Sequence, residues 1–330
     1  MKVAVVILNW NGADLLRKFL PSVVRFSAGA EVYVADNAST DNSISVLETE
    51  FPSVKIIRND RNYGFANGYN EALKNVEADV FALVNSDIEV TENWLDPILS
   101  AFANQPETVI IQPKILDFKN KECFEYAGAA GGFIDKFGYP FCRGRLFDTI
   151  EKDVAQYDDS GEIFWASGAC FFIRSKVFHE LHGFDSDFFA HQEEIDLCWR
   201  AFNNGHKINY IPHSVVYHVG GATLQQGNPR KTYLNFRNSL FMLLKNLPLV
   251  QLFPIIFSRL VLDGVAGVQF LFQGKITHCM AIVNAHFYFF GSLSKFYNKR
   301  GAKQSGEYYK VNSVVYKYFV QKRHKFTELF

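Results

Sequence analysis

Over residues 1–112, short apolar runs alternate with apolar residues at helical spacing, and this constrains the fold more than any other feature. Val3–Leu8 reads as a strand, and Leu15, Leu16, Phe19, Leu20 and Val23 then recur at helical spacing. Glu31–Ala35, Val54–Ile57, Val80–Val84 and Thr108–Gln112 are further strands. Helices carrying Ile44, Val46 and Leu47, then Phe65–Val76, then Trp94–Phe102, separate them. Such alternation implies βαβ units, a mostly parallel sheet and helices on both faces. Ligands bind outside the carboxyl ends of such strands. The polar clusters fall at those ends: Asn9-Trp10-Asn11-Gly12, Asp36-Asn37 and Asn85-Ser86-Asp87.

Residues 113–165 are glycine- and aromatic-rich and read as loops and extended chain. Trp165–Arg174 reads as a strand, with short helices over Ser175–Leu181 and Ile195–Asn203. From Lys231 the character changes, which places a first domain at 1–230 and a helical extension at 231–330. Leu234–Leu247, Leu249–Gln273 and His278–Phe290 read as helices. In the middle one, Arg259 and Asp263 argue against a membrane span, since a charge at bilayer centre costs ~2.5–3.5 kcal/mol. We expect these helices to lie on a membrane surface. A homodimer contact, a buried extension and a true span are the alternatives. The basic tail, Lys295 to Lys325, suits an anionic leaflet or a solvated surface.

The formal net charge is zero, so no global field draws the chain to nucleic acid. The five cysteines have no C-x-x-C spacing and read as free thiols of a reducing cytoplasm. The apolar run after Met1-Lys2 is too short for a signal core.

Asp87 ends a strand, where one carboxylate with phosphate oxygens and waters makes a common Mg²⁺ or Mn²⁺ arrangement. A turn is the alternative for Asn85-Ser86-Asp87. Asp36 is a candidate for a base N–H or a ribose hydroxyl, with Ser39, Thr40 and Asp41 as helix caps. Asn9, Asn11 and Gly12 offer close approach and helix N–H groups, and Asn62, Gly64 and Gly68 open the next helix. No G-x-G-x-x-G is present, against a dinucleotide fold. Glu193, Glu194 and Asp196 crowd a helix start, as general-base candidates or as caps. His218, before Gly220-Gly221, is a candidate metal ligand.

These motifs, in this order over residues 1 to about 245, resemble the inverting family 2 glycosyltransferases of GT-A fold, in a rhamnosyltransferase-like branch. The matching stretches are Val5–Asn11, Asp36–Asp41, Asn62–Ala66, Leu83–Asp87, Gly168–Cys170, Gly183–Asp185, Glu193–Arg200 and His218–Gly221. The resemblance implies a UDP- or dTDP-sugar donor and a saccharide or lipid-linked saccharide acceptor. It also implies a cytoplasmic enzyme of cell-surface polysaccharide or glycolipid assembly, peripheral on the inner face of the plasma membrane. It puts Asn9, Asn11, Asp36, Asn37, Asn62, Gly64 and Asn85 around the nucleotide, and Asp87 and His218 on a divalent cation. Trp165, Gly168, Ala169 and Glu193 would border the donor sugar and acceptor. The family's base is the aspartate of a Glu-Asp pair; here that position is Glu194, with Asp196 competing.

A catalytically silent sugar-nucleotide-binding protein of the same fold is the second reading, resting on the Glu194 departure. A nucleotidyltransferase would want a basic, glycine-rich loop where Asn9–Gly12 stands. A processive synthase would want clear membrane spans and Q-x-x-R-W, which the chain lacks.

Overall fold

The computed structural model describes residues 1–220 and 227–330. The first segment runs β1 (Val3–Asn9), α1 (Ala13–Phe26), β2 (Glu31–Asp36), α2 (Ser43–Glu50), β3 (Lys55–Arg58) and α3 (Gly64–Leu73). It continues through β4 (Val80–Asn85), β5 (Ile88–Val90), α4 (Asp96–Asn104) and β6 (Thr108–Asp117). Strands β3, β2, β1 and β4 are parallel neighbours in that order. β1 and β4 are continuous apolar runs because helices cover both faces, which buries both sets of alternating side chains.

Residues 113–165 hold more strand than their sequence suggests. A small antiparallel sheet comprises β7 (Gly132–Ile134), β8 (Pro140–Cys142), β9 (Arg145–Leu146) and β10 (Thr149–Ile150). Then come β11 (Gly161–Glu162) and β12 (Cys170–Arg174), followed by α5 (Ser175–Glu180), α6 (Glu193–Asn203) and β13 (Lys207–His218). The strand expected from Trp165 starts only at Cys170, because Trp165 bridges to Gly132 and Ser167 N–H donates to Gln112 Oε1. β12 joins the large sheet antiparallel between β4 and β6, and β13 lies parallel to β6. The short β5 folds back antiparallel on the end of β13, pairing Ile88 with His218.

The remaining helices are α7 (Pro229–Asn246), α8 (Leu249–Phe272), α9 (Ile276–Gly291) and α10 (Leu293–Tyr297). α7 packs on α6, and α8 and α9 pack on α7. α8 buries Ile255, Arg259, Asp263 and Gly267, an i, i+4 stripe on one face. The two charges that argued against a membrane span are therefore the buried ones. Arg259 donates to Phe137 O (2.9 Å) and Ser239 Oγ (2.9 Å), and its guanidinium lies 3.9 Å over the Tyr139 ring. Asp263 accepts from Arg259 Nε and Tyr139 Oη, both at 3.3 Å. By length and composition α8 is the one helix among the described residues that could cross a bilayer.

The tail returns to the first domain: Val311 bridges to Asp135, and Phe326 packs with Phe133, Phe141 and Tyr157. Several of its cations are spent internally. Lys299 pairs with Asp185 and Asp187, Lys295 pairs with Asp187, and Arg300 donates to Leu244 O and Leu247 O.

Candidate active site

The loops after β1, β2 and β3 are laced together by asparagine and aspartate side chains. Asp36 Oδ1 accepts from Asn9 Nδ2 (2.9 Å) and Ser39 Oγ (2.5 Å), and Oδ2 accepts from Ser39 N–H (2.9 Å). Asn11, held at φ 51°, accepts at Oδ1 from Thr40 N–H. Asp41 takes the N–H groups of Ala13 and Ser43, the first residues of α1 and α2. Asn37 Nδ2 donates to Asn62 Oδ1 and Gly64 O, while its Oδ1 accepts from Asn59 Nδ2 and Tyr63 N–H. Asp36 and Asn37, expected to face a nucleoside, are thus buried and already bonded to protein. Asn9 Oδ1 is a buried acceptor of this edge without a partner among the described residues, as is Ser43 Oγ at the start of α2. Asn9 Oδ1 points at Gly12, where a Cβ would stand 2.5 Å away.

On the opposite side, the end of β4 carries Asn85, whose N–H donates to Ala169 O (2.9 Å). Two residues on, Asp87 is brought against His218 because β5 pairs with the end of β13. His218 Nε2 lies 3.2 Å from Asp87 Oδ1, and Nδ1 lies 3.2 Å from Glu125 Oε1. All three residues are buried. Burial opposes a charged imidazole, but the two carboxylates outweigh it and raise His218 to about 10. Burial would raise the Asp87 carboxyl, but the His218 hydrogen bond and charge hold it below its usual range.

One carboxylate and one imidazole nitrogen side by side fit a divalent cation that takes its remaining ligands from phosphate and water. The described residues contain no cluster of three or more protein ligands. Glu125 lies against the second imidazole nitrogen, the position from which an outer-shell carboxylate would orient a metal-ligating histidine. It carries no sequence signal: Phe124-Glu125-Tyr126 has no motif and precedes no periodic element.

The third part is the start of α6. Phe189, His191 and Gln192 all have positive φ (64°, 70° and 72°), a conformation that costs non-glycine residues of order 1–3 kcal/mol each. α7 holds this loop in place. Asn238 Nδ2 donates to Phe188 O, Ala190 O and His191 O, and Arg237 donates to Asp187 O and Phe188 O. Phe189 O in turn accepts the N–H of Phe65 (3.1 Å), so the start of α3 beside Gly64 meets protein.

This loop delivers three carboxylates to one helical turn, in different states. Asp196 is fully buried. Its Oδ2 accepts from Lys245 (2.8 Å) and Arg200 (2.8 Å), and Oδ1 accepts from Asn246 (2.9 Å). Burial would raise it, but Lys245 and Arg200 outweigh burial and hold it low. It pins α6 to α7 and has no oxygen left over for proton transfer. Glu193 is buried and raised well above the usual range, by burial first and by Glu194 second. Glu194 is half-buried, and burial raises it to about 7 against the helix N–H groups. Its Oε2 is shut from water and has no partner among the described residues.

Gly168 faces Glu194: a Cβ built there would stand 3.7 Å from Glu194 Cδ and 3.5 Å from Phe65 Cζ. Ala169 follows, bonded to Asn85, so the base candidate and the Asp87 loop share one wall. Trp165 lies elsewhere: its ring is buried under Gly132 with Nε1–H on Phe133 O (2.8 Å). Of the His218–Gly221 motif, Gly221 falls outside the described residues. Sequence reasoning missed Glu125, Arg237, Asn238, Lys245 and Asn246. An Arg-Asn pair inside an apolar helix was the one available signal.

Residues 4–181 match the family model described as Glycosyl transferase family 2, and the chain belongs to that family. It is similar to the N-acetylglucosaminyl-diphospho-decaprenol L-rhamnosyltransferase of Mycobacterium tuberculosis, 24% identical over 65% of this chain and 75% of that protein. In fold it is similar to S. aureus TarS 1-349 in complex with UDP-GlcNAc (TM-score 0.58, 16% identity, 91% of this chain and 84% of that one). It is likewise similar to GalNAc-T7 with UDP, GalNAc and Mn²⁺ (TM-score 0.58, 19% identity, 74% of this chain), of which it spans 48%.

Proposed function

We propose that this family 2 glycosyltransferase moves a sugar from a UDP- or dTDP-linked donor to a hydroxyl of a saccharide or lipid-linked saccharide, with inversion at the anomeric carbon. The observation that carries this reading is the Glu194 carboxyl, raised to about 7 and lacking a partner on one oxygen, opposite Gly168. A general base works best with a pKa near the operating pH. Glu194, rather than the saturated Asp196, takes the acceptor proton as the hydroxyl oxygen attacks the anomeric carbon. Asp87 and His218 would hold a divalent cation, Mg²⁺ or Mn²⁺, which when bound would supply positive charge to the leaving diphosphate. Glu125 holds the His218 ring so that Nε2 faces Asp87. Asn9, Asn11, Asp36, Asn37, Asn62, Gly64 and Asn85 frame the nucleotide end, and Gly168, Ala169 and Glu193 the sugar end.

In this reading residues 1–230 are the catalytic domain and 231–330 an extension that brings it to the cytoplasmic face of a membrane. The work is cell-surface polysaccharide or glycolipid assembly. The mycobacterial relative's name, with its diphospho-decaprenol acceptor, and the nucleotide complexes of TarS and GalNAc-T7 support it.

The test is thermal melting with UDP- and dTDP-sugars, with and without Mn²⁺, followed by NMR of the product's anomeric configuration. A ligand specific for the folded state raises the melting temperature. We expect a Mn²⁺-dependent rise and an inverted product. No rise with any nucleotide sugar would overturn the reading, and binding without turnover would favour the silent alternative.

A further inference from the structure

The outer face of the C-terminal helices is apolar where a soluble surface would be polar. On α8, Val250 (85% exposed), Phe253 (79%), Phe257 and Val265 face outward while the charges Arg259 and Asp263 face in. On α9, Ile276, Met280 and Phe287 (74%) continue that face. Contiguous exposed apolar surface of this kind marks an interaction site.

A groove of about 960 Å³ opens on this face between the first turn of α7 and the length of α9. Its walls include Tyr233, Ile276, Met280, Asn284 and Phe287, and Arg230 stands at the α7 end. Arg230 also reaches the strained catalytic loop, with its guanidinium 5.4 Å over the Phe189 ring. Phe189 packs on Gly64, a nucleotide-side residue in the proposed reading. The next residue, Lys231, is half-buried, lies within electrostatic reach of His191 and of Glu125 beside His218, and forms no ion pair among the described residues. The first turn of α7 therefore presents one cation to the groove and one toward the catalytic cluster. The groove is continuous at Ile276, Met280 and Phe287 with the exposed face.

We propose that this groove holds the hydrocarbon chain of a lipid-diphosphate-linked acceptor, with Arg230 and Lys231 on the diphosphate between chain and sugar. An apolar trough with one cation at its end, and a second on the next residue toward the catalytic cluster, complements a lipid whose charge sits between its chain and its reacting group. The wall residues Met280 and Phe287 stay half in the bilayer surface, so the lipid enters sideways. The idea rests on the acceptor class proposed above.

The test titrates geranylgeranyl diphosphate into the full chain by calorimetry in EDTA, where no metal ion can hold the diphosphate. Geranylgeraniol and inorganic diphosphate are the single-feature controls. We expect both controls to bind at least about tenfold more weakly than geranylgeranyl diphosphate, since two contacts act as one linked site. Asn284→Trp fills the groove from an exposed position, and Arg230→Glu reverses the charge; each is expected to weaken binding about tenfold or more. Equal affinity for inorganic diphosphate, or Asn284→Trp binding like the unmodified chain, overturns the groove. So does light scattering that shows a dimer dissociated by Asn284→Trp, since a second copy would then fill it. UDP-sugar binding with Mn²⁺ reads the glycosyltransferase proposal separately: its presence alongside a failed lipid titration refutes the groove alone.

Discussion

The two sides of the site differ in how far their polar groups are satisfied. On the β1–β2–β3 side, Asp36, Asn37 and Asn11 are bonded to neighbouring loops, and Asn9 Oδ1 and Ser43 Oγ are left over. On the β4–β13–α6 side, charges face one another or face nothing: His218 stands between two carboxylates, and Glu193 and Glu194 are pushed up by burial. Within α6 the contrast narrows to two residues. Asp196 is saturated and held low, while Glu194 is unsatisfied and held high. Saturated side chains build the frame; unsatisfied ones store the free energy that chemistry uses, as perturbed groups at functional sites commonly do.

Substitutions can break that contrast. Glu194→Gln has the largest expected effect: transfer falls ~10²–10⁴-fold, the usual size for a lost general base. A sugar-transfer assay checks it. Its stability moves the other way. A carboxyl raised from 4.5 to about 7 favours folding fully below pH 4.5, and this contribution is lost as the pH rises through 7. Glu194→Gln should therefore gain about 1–3 kcal/mol over the unmodified chain in melts at pH 8, and little at pH 4.5. In the unmodified chain the transfer rate should climb with pH through about 7 and level off above it.

Asp196→Ala should do the reverse. It removes the only carboxylate partner of Arg200 among the described residues and one of the two on Lys245, which keeps Asp185, and costs about 3–5 kcal/mol in urea unfolding. Folded protein at low temperature should keep most of its turnover; a loss matching that of Glu194→Gln would make Asp196 the base. Glu125→Gln weakens the hold on His218 and should lower Mn²⁺ affinity ~10–100-fold by calorimetry. Unchanged affinity would remove Glu125 from the metal's support. Asn37→Ala, on the saturated side, should cost about 1 kcal/mol of stability and change the KM for the donor more than kcat. A pure kcat defect there would dissolve the distinction between the two sides.

The first half of the fold was legible because parallel strands buried on both faces must be short apolar runs, and β1, β2 and β4 are. The antiparallel insertions were not: β12 ends a longer apolar stretch, and β7 to β10 are two- and three-residue pieces with no period to read. α8 was read correctly as a helix, but its charges were taken as interruptions of an apolar rod. They form its inward stripe, which hydropathy summed along the chain cannot distinguish from an outward one.

The sequence by itself determined which residues could carry chemistry, since a carboxylate or imidazole at a strand end is a matter of residue type and local period. Asp87, Glu194 and His218 all stand out on those terms. Which of them are free to act was decided only by tertiary structure. Whether a carboxylate is held below its usual range or raised to about 7 depends on what packs against it. For Asp196 that is Lys245 and Asn246, some fifty residues away in the chain. For Glu194 it is a glycine that offers no partner.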